Sequence, residues 1–364
     1  VSELQVLYVI LAVVYLSDCL VLVRRVGGCF RTDALGRFRY CPGRSFETWG
    51  GLTISWPLPP LGRVAICQTW PISISPDAVV ADGVVYLRDV DLVAAVGREV
   101  RINGAAFVRT ASPAIAEDLA SMIVRVKDTE QGRRERVIDR EIERSLDVEE
   151  VRRRVEEFRS ASMPVQVLSH ALFLYLFLLA PWVVWRFGLI PSWAPYLGGL
   201  AFLALGTTLA YALAHRKLHG GWPVAHAIAM TAAPPMAIRS RDALFRDLLA
   251  AFQPLAIASV LCRPEESREM ARTAVREARH PIPHVGESRP PEAPEAEAWF
   301  RARLRREIER RAARVGGSME ELLRPVLASS PEARGYCPRC LGQYVAGVEL
   351  CPDCGGIPLV KFEG

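Results

Sequence analysis

Lysine is almost missing from this 364-residue chain: it occurs only at Lys127, Lys217 and Lys361, so arginine carries nearly all the positive charge. That excess reads as a base-composition bias of the source genome rather than as a functional signal. The net charge is only +5 and there is no polybasic tail, which argues against nucleic acid as the partner. The chain also lacks a Gly-rich phosphate loop, a nucleophile elbow, an HExxH motif and any pair of carboxylates within its apolar segments. A disulfide framework is missing too. Of nine cysteines, Cys19, Cys29, Cys41, Cys67 and Cys262 are scattered, which fits a reducing compartment. No feature names a reaction, a substrate, an oligomeric state or a pathway.

Hydrophobic residues make up 51% of the chain and charged residues 23%, and the two kinds are segregated. Such blocks want different solvents, lipid for one and water for the other. Residues 4–23, LQVLYVILAVVYLSDCLVLV, form the first apolar block, followed by Arg24 and Arg25. At ~1.5 Å rise per residue a helix of that length crosses roughly 30 Å. No basic segment precedes it and no small-residue cleavage site ends it, so 1–25 is expected to be a membrane anchor and not a signal peptide. Asp18 reads as an interfacial carboxylate near its inner end.

Residues 165–185 and 190–214 are also long and apolar enough to span, with only RFGL between them. They predict a transmembrane helical hairpin over 164–216, with Trp182, Trp185, Trp193 and Tyr196 crowding its turn as an aromatic belt. Arg152, Arg153, Arg154 and Arg159 precede the hairpin, and Arg216 and Lys217 follow it, whereas Arg186 stands alone at the turn. The positive-inside rule then puts the turn and the N-terminus outside and the C-terminus in the cytoplasm. Gly206, Ala210 and Ala214 form a row suited to close packing on the first helix or on a second subunit, which keeps a homo-oligomer open.

The soluble parts have their own signals. Residues 26–61 are rich in Gly, Pro and aromatics and predict irregular structure with short strands. Over 62–127, RVAICQTW, ISIS, GVVYL and LVAAV are short β-rich runs, and Asn103-Gly104 between alternating runs is a hairpin signal. SPAIAEDLASMIVRV follows. It predicts a helix capped by Ser112, with Pro113 in its first turn and Ile115, Leu119, Met122, Ile123 and Val126 along one face. Strands, a hairpin and one covering helix resemble a small bacterial PH-like domain. The resemblance implies that the β-rich region, 26–128, is a cytoplasmic binding or scaffolding module, and it agrees with a bacterial inner membrane.

Residues 129–163 read as charged helices, the second capped by Asp147 with Glu150 three residues on. Val148, Val151, Val155 and Phe158 form a stripe that leans on a neighbour, since two heptads are too few for a coiled coil. Residues 217–262 are apolar but broken by Pro234-Pro235 and by Arg246 and Asp247. As spans they would carry Arg239, Arg241 and Arg246 outside, so re-entrant or interfacial helices are expected. A helix at 263–285 leads to a Pro/Glu-rich linker at 286–298, too polar to bury. Amphipathic helices at 299–328 follow, broken at Gly316-Gly317 and restarted by a Ser318/Glu321 capping box.

The chemistry-bearing motif lies in 329–364. Cys337-x2-Cys340-x10-Cys351-x2-Cys354 is two knuckles, each aiming two thiolates at one point, with a ten-residue segment between them long enough for a hairpin. Residues 335–362 resemble the zinc-ribbon family, which implies one Zn2+ held by these four cysteines. Four thiolates leave no position for water, so the site is structural, and metal binding of roughly 10–16 kcal/mol can fold a segment with almost no core. A dithiol redox pair is the competing reading, but no thioredoxin-like βαβ pattern surrounds either Cys-x-x-Cys. The charges of 336–364 sum to −1, so a nucleic-acid surface is not expected, and Tyr344 and Phe362 read as core.

Histidines offer less. His215 and His219 share a helical face at a membrane boundary and His226 follows, but no Asp, Glu or Cys lies close in sequence to complete a metal site. They read as interfacial, and His280 and His284 sit in a Pro-rich loop. The expected fold is a multi-domain membrane protein. It has about three spanning α-helices with interfacial helices, a small β-rich α+β cytoplasmic domain, and a zinc ribbon on a flexible tether. The expected function is a non-enzymatic adaptor, scaffold or regulator that contacts the lipid bilayer and a cytoplasmic protein partner. The alternative is a membrane-embedded enzyme or transporter-associated subunit with Asp18, His170, His215 and His219 as its polar seeds.

Overall fold

The computed structural model describes residues 3–22, 27–32, 38–42, 52–54, 64–68, 72–81, 83–110, 113–220, 224–281 and 293–362. They gather into two compact units. The first draws on Val1–Gly43, Gly50–Cys67 and Arg152–Leu249, the second on Gln68–Val151 and Ala250–Gly364. The chain is mostly helical.

The first unit is built around apolar helices. Two stretches are long and apolar enough to cross a membrane, Met163–Phe187 and Trp193–His219. The N-terminal helix, Glu3–Cys19, is shorter than expected: its 17 residues span about 25 Å. It stops there because Leu20–Leu22 turns into a strand that pairs with Leu52–Ile54. Tyr15 packs its ring on Phe177, 5.8 Å between centroids. A second ladder pairs Gly27–Thr32 with Phe38–Pro42 and sets Cys29 opposite Cys41.

The first arm of the hairpin is interrupted by a π turn, Tyr175–Leu179. Pro181 explains it, since a proline has no N–H and its ring would strike the carbonyl four residues back, at Phe177. The widened turn lets the Tyr175 hydroxyl donate to Tyr196 O at 2.9 Å. That hydroxyl lies where a Cβ on Gly199 would be, so only glycine fits there. The small-residue row is used inside the chain: Gly206 faces Leu168, and Ala210 and Ala214 are buried. Helices Val224–Thr231 and Pro234–Leu249 complete the unit. Val155 and Phe158 are buried, and Phe158 packs on Phe245 at 4.7 Å, so this part of the stripe leans on a neighbour.

Polarity in this unit is turned outside-in. Phe202, Leu205, Leu209 and Leu213, on one helix face, are exposed. Ser169, Thr207, Thr231, Ser240, Arg241 and Asp247 are buried. They bond across helices: the Thr208 and Thr231 hydroxyls meet at 2.6 Å, Ser169 donates to Ala237 O at 3.2 Å, and Arg241 Nε donates to Ser162 Oγ at 3.0 Å.

The second unit starts with two antiparallel meanders of three strands each, one through Ala78–Val80 and one through Glu99–Ile102. Asn103-Gly104 turns the second, both residues having positive φ (51° and 82°), as a tight two-residue hairpin requires. Asn103 Oδ1 also accepts from the amides of Asp91 and Leu92, at 2.8 and 3.0 Å, and its amide donates to Asp89 O. Helix Pro113–Lys127 lays Leu119, Met122, Ile123 and Val126 on the core; Ile115 stays at its margin. Asp147 Oδ1 accepts from the amides of Glu149 and Glu150, the expected cap.

That core is closed by a helix almost two hundred residues further on. Helix Ala293–Gly316 begins inside the segment expected to be a linker. Phe300, 3% exposed, enters the same core as Val79 and Ile123, and Ala296 packs on Ala78 and Val80. Arg303 lies 4.0 Å over the Trp299 ring and donates to both Asp139 oxygens (3.0 and 2.9 Å) and to Glu135 (2.6 Å). Arg279 Nε donates to Glu309 at 2.7 Å and ties the helix to its predecessor, Pro264–Arg279. The Ser318 cap forms, its Oγ accepting from Glu321 N. The segments on either side of residues 282–292, which are outside the described residues, are thus packed together rather than free.

Phe300→Ala should lower unfolding stability of the second unit by about 3–5 kcal/mol, since it leaves a cavity in a closed core. Arg303→Ala should cost about 1 kcal/mol, because Asp139 and Glu135 remain half exposed to water. Denaturant midpoints of the two variants check the ranking.

Candidate functional site

The four knuckle cysteines come together. One Sγ from each of Cys337, Cys340, Cys351 and Cys354 lies within 4.8 Å of every other. None of them is in a disulfide, and Cys340 and Cys351 approach to 3.7 Å. Cys337, Cys351 and Cys354 are buried, and Cys340 faces solvent. Donor type and spacing fit one tetrahedral metal ion with no coordination position to spare.

Each knuckle is itself the turn of a hairpin. Gly335–Tyr336 pairs with Gln343–Tyr344 around the first, and Leu350–Cys351 with Ile357–Pro358 around the second. Among the described residues the segment between the knuckles forms no ladder of its own, in contrast to the single bridging hairpin expected. The two turns match in detail. The residue after the second cysteine has positive φ in both, Leu341 at 62° and Gly355 at 67°. Cys337 N donates to Gly342 O in one turn, and Gly356 N donates to Cys351 O in the other, both at 2.9 Å. A leucine in the left-handed region costs roughly 1–2 kcal/mol, so the first knuckle is the strained one.

Thiolate character is uneven. The hydrogen bond from Cys337 draws Cys340 down to about 5 and pushes Cys337 up. Burial raises Cys354 to about 12. Tyr344 shares the small core with these cysteines and Ile357, and its hydroxyl lies 3.1 Å from Cys351 Sγ. Phe362 packs on Tyr336 at 5.3 Å. Both aromatics are therefore occupied within the domain.

The cysteine domain is docked rather than loose. Arg339, between the first two cysteines, donates through Nη1 to the carbonyls of Glu277 and His280, at 3.0 and 2.8 Å. Those carbonyls end helix Pro264–Arg279, where no intrahelical amide remains to satisfy them. A residue inside the knuckle thus caps a helix about sixty positions earlier, which corrects the expectation of a freely tethered head.

The polar seeds of the apolar unit separate. His170 Nδ1 bonds Gln166 O in its own helix at 2.6 Å and joins no cluster. Asp18 sits in the last turn of the first helix, and its side chain, like all of His284, lies outside the described residues. His215, His219 and His226 do converge: His215 is 4.7 Å from His219 and 5.5 Å from His226, between ring centroids. His215 and His226 meet Asp247, which sequence proximity did not offer because it lies on another helix, Pro234–Leu249.

No family model matches the chain, and comparisons with curated proteins and with solved structures found no significant match. The PH-like resemblance of 62–127 has no family match behind it, whereas the cysteine cluster is compatible with a zinc ribbon on its geometry.

Gly355→Val should weaken metal retention about tenfold, by imposing left-handed strain on the relaxed knuckle. Leu341→Gly should have a smaller effect of opposite sign. Competition with a metal-sensitive chelator dye reads both.

Proposed function

We propose that the chain is an integral membrane protein whose four cysteines hold one structural Zn2+, and that it serves as a non-enzymatic adaptor, scaffold or regulator. The observation that carries the reading is the inverted polarity of the first unit. Only 33% and 28% of its two longest apolar windows are buried inside the chain, while serines, threonines, Arg241 and Asp247 are. A soluble protein would bury the leucines and expose the polar groups; a lipid-facing one does the reverse. Lipid, or in part a second copy of the chain, covers the exposed Phe202–Leu213 face.

Charge supports the orientation. The arginines of 152–159 and Arg216 with Lys217 flank the hairpin at its open end, which argues for a cytoplasmic C-terminus and an outer N-terminus at a bacterial inner membrane. A reducing cytoplasm would keep the four thiols available to the ion. Two meanders covered by helix Pro113–Lys127 and closed by helix Ala293–Gly316 are compatible with a module that binds a cytoplasmic protein partner, and the near-neutral ribbon disfavours nucleic acid. The second reading, a membrane-embedded enzyme or transporter-associated subunit, is favoured by the histidines gathered around Asp247.

Alkaline carbonate extraction should leave the chain in the membrane pellet, and Gly364→Cys should be labelled only after permeabilisation. The Cys340→Ser/Cys351→Ser variant should contain one zinc equivalent fewer than the wild type. Release into the supernatant, labelling from outside, or unchanged zinc would each overturn its part of the reading. In cells that depend on the protein, joint substitution of Asp18 and His170 should be tolerated and loss of the cysteines should not. The opposite pattern assigns the function to the membrane unit.

A further inference from the structure

We infer that His215, His226 and Asp247 form a second metal site, within the helical unit, that takes one divalent first-row transition cation. Three helices contribute one ligand each: Leu189–His219, Val224–Thr231 and Pro234–Leu249. One ligand atom from each of the three side chains lies within 4.8 Å of the others.

Two buried polar atoms point into this space without a hydrogen bond. His215 is 9% exposed and its Nδ1 has no partner; Asp247 is 4% exposed and its Oδ2 has none. His226 Nε2 lies 3.8 Å from that oxygen, too far for a hydrogen bond. Burying a carboxylate and an imidazole in this way is costly unless something else binds them. A cation between them satisfies both at once, after a closure of about 1 Å to reach metal–ligand distances of roughly 2.0–2.2 Å.

The surroundings hold the ligands in place. Arg246 Nε donates to Asp247 Oδ1 at 2.9 Å, which orients the carboxylate and leaves Oδ2 turned to the histidines. The fully buried Tyr211 puts its hydroxyl 3.1 Å from His226 Nε2, the nitrogen that also faces Asp247, so a cation bound there exchanges this hydrogen bond for coordination. A partner behind the ligand, as Arg246 is to Asp247, is a usual companion of carboxylate ligation. His219, one helical turn from His215, packs its ring 4.7 Å away between centroids and is not one of the three converging ligands.

Donor chemistry selects the ion. Two imidazoles and one carboxylate suit Zn2+, Fe2+, Co2+ or Mn2+, whereas Ca2+ and Mg2+ want oxygen donors throughout. The site differs from the ribbon in kind: three ligands leave open positions, while four thiolates leave none. It does not depend on the zinc-ribbon reading, and the two can fail separately.

Cobalt titration of the full-length protein in detergent, followed by absorption and by bound-metal content, tests it. Two equivalents are expected, one with thiolate charge-transfer bands and one without. Cys340→Ser/Cys351→Ser should remove the first alone. Asp247→Asn and, separately, His226→Gln should weaken the second by at least ~tenfold, while the thiolate bands persist and an unchanged helical far-UV circular dichroism signal reports that the helical unit is still folded. One equivalent in the wild type, carried wholly by the thiolates, overturns the second site. So does a second equivalent that both substitutions leave unchanged.

Discussion

Helix Ala293–Gly316 supplies what the strands of residues 73–109 cannot supply for themselves. Two three-stranded meanders and the helix Pro113–Lys127 enclose most of a core, and Phe300 and Ala296 close it. Small sheets are marginal in water until their apolar face is covered. Everything C-terminal depends on that closure. At Gly316 the chain comes so close to Leu322 that a side chain would not fit, Gly317 turns with φ 95°, and the Ser318 cap starts the short helix before the cysteine domain. The cysteine-bearing end of the molecule is thus joined to a core whose first strands lie more than two hundred residues earlier.

The apolar unit follows another logic. Many of its leucines are exposed while Leu172, Leu176 and Phe158 are buried, and small residues and hydroxyls share the packing between its helices. Tyr175 against Gly199 and Thr208 against Thr231 are contacts of that kind. The π turn before Pro181 shows the backbone yielding to make one of them. Polar groups that are costly in an apolar setting are concentrated where His215 and His226 meet Asp247.

Features that depend on neighbours in sequence were legible there. The Asn103-Gly104 hairpin, the Asp147 and Ser318 caps, the apolar face of helix Pro113–Lys127 and the cysteine cluster all arise from local spacing. What was not legible arises at long range. Nothing near His215 announces Asp247, because the two share a place in space and not in sequence. The docking of 293–316 was hidden by composition: Pro and Glu at its start read as a solvated linker, yet Phe300 and Arg303 just beyond carry the contact. At the N-terminus, hydropathy saw a continuous run through Val23, while strand pairing with Leu52–Ile54 ended the helix at Cys19. Apolar β-branched residues satisfy both patterns, and only the partner strand decides between them.

Arg339 belongs to two structures at once. It sits between Cys337 and Cys340, and it caps the last carbonyls of helix Pro264–Arg279. The turn that aims the two sulfurs is the same turn that aims the guanidinium. If the cysteines hold an ion, their occupation and order at that helix end become linked equilibria, each shifting the other by the same free energy. Such an ion, with no room for a substrate, would be felt at a helix terminus that it never touches.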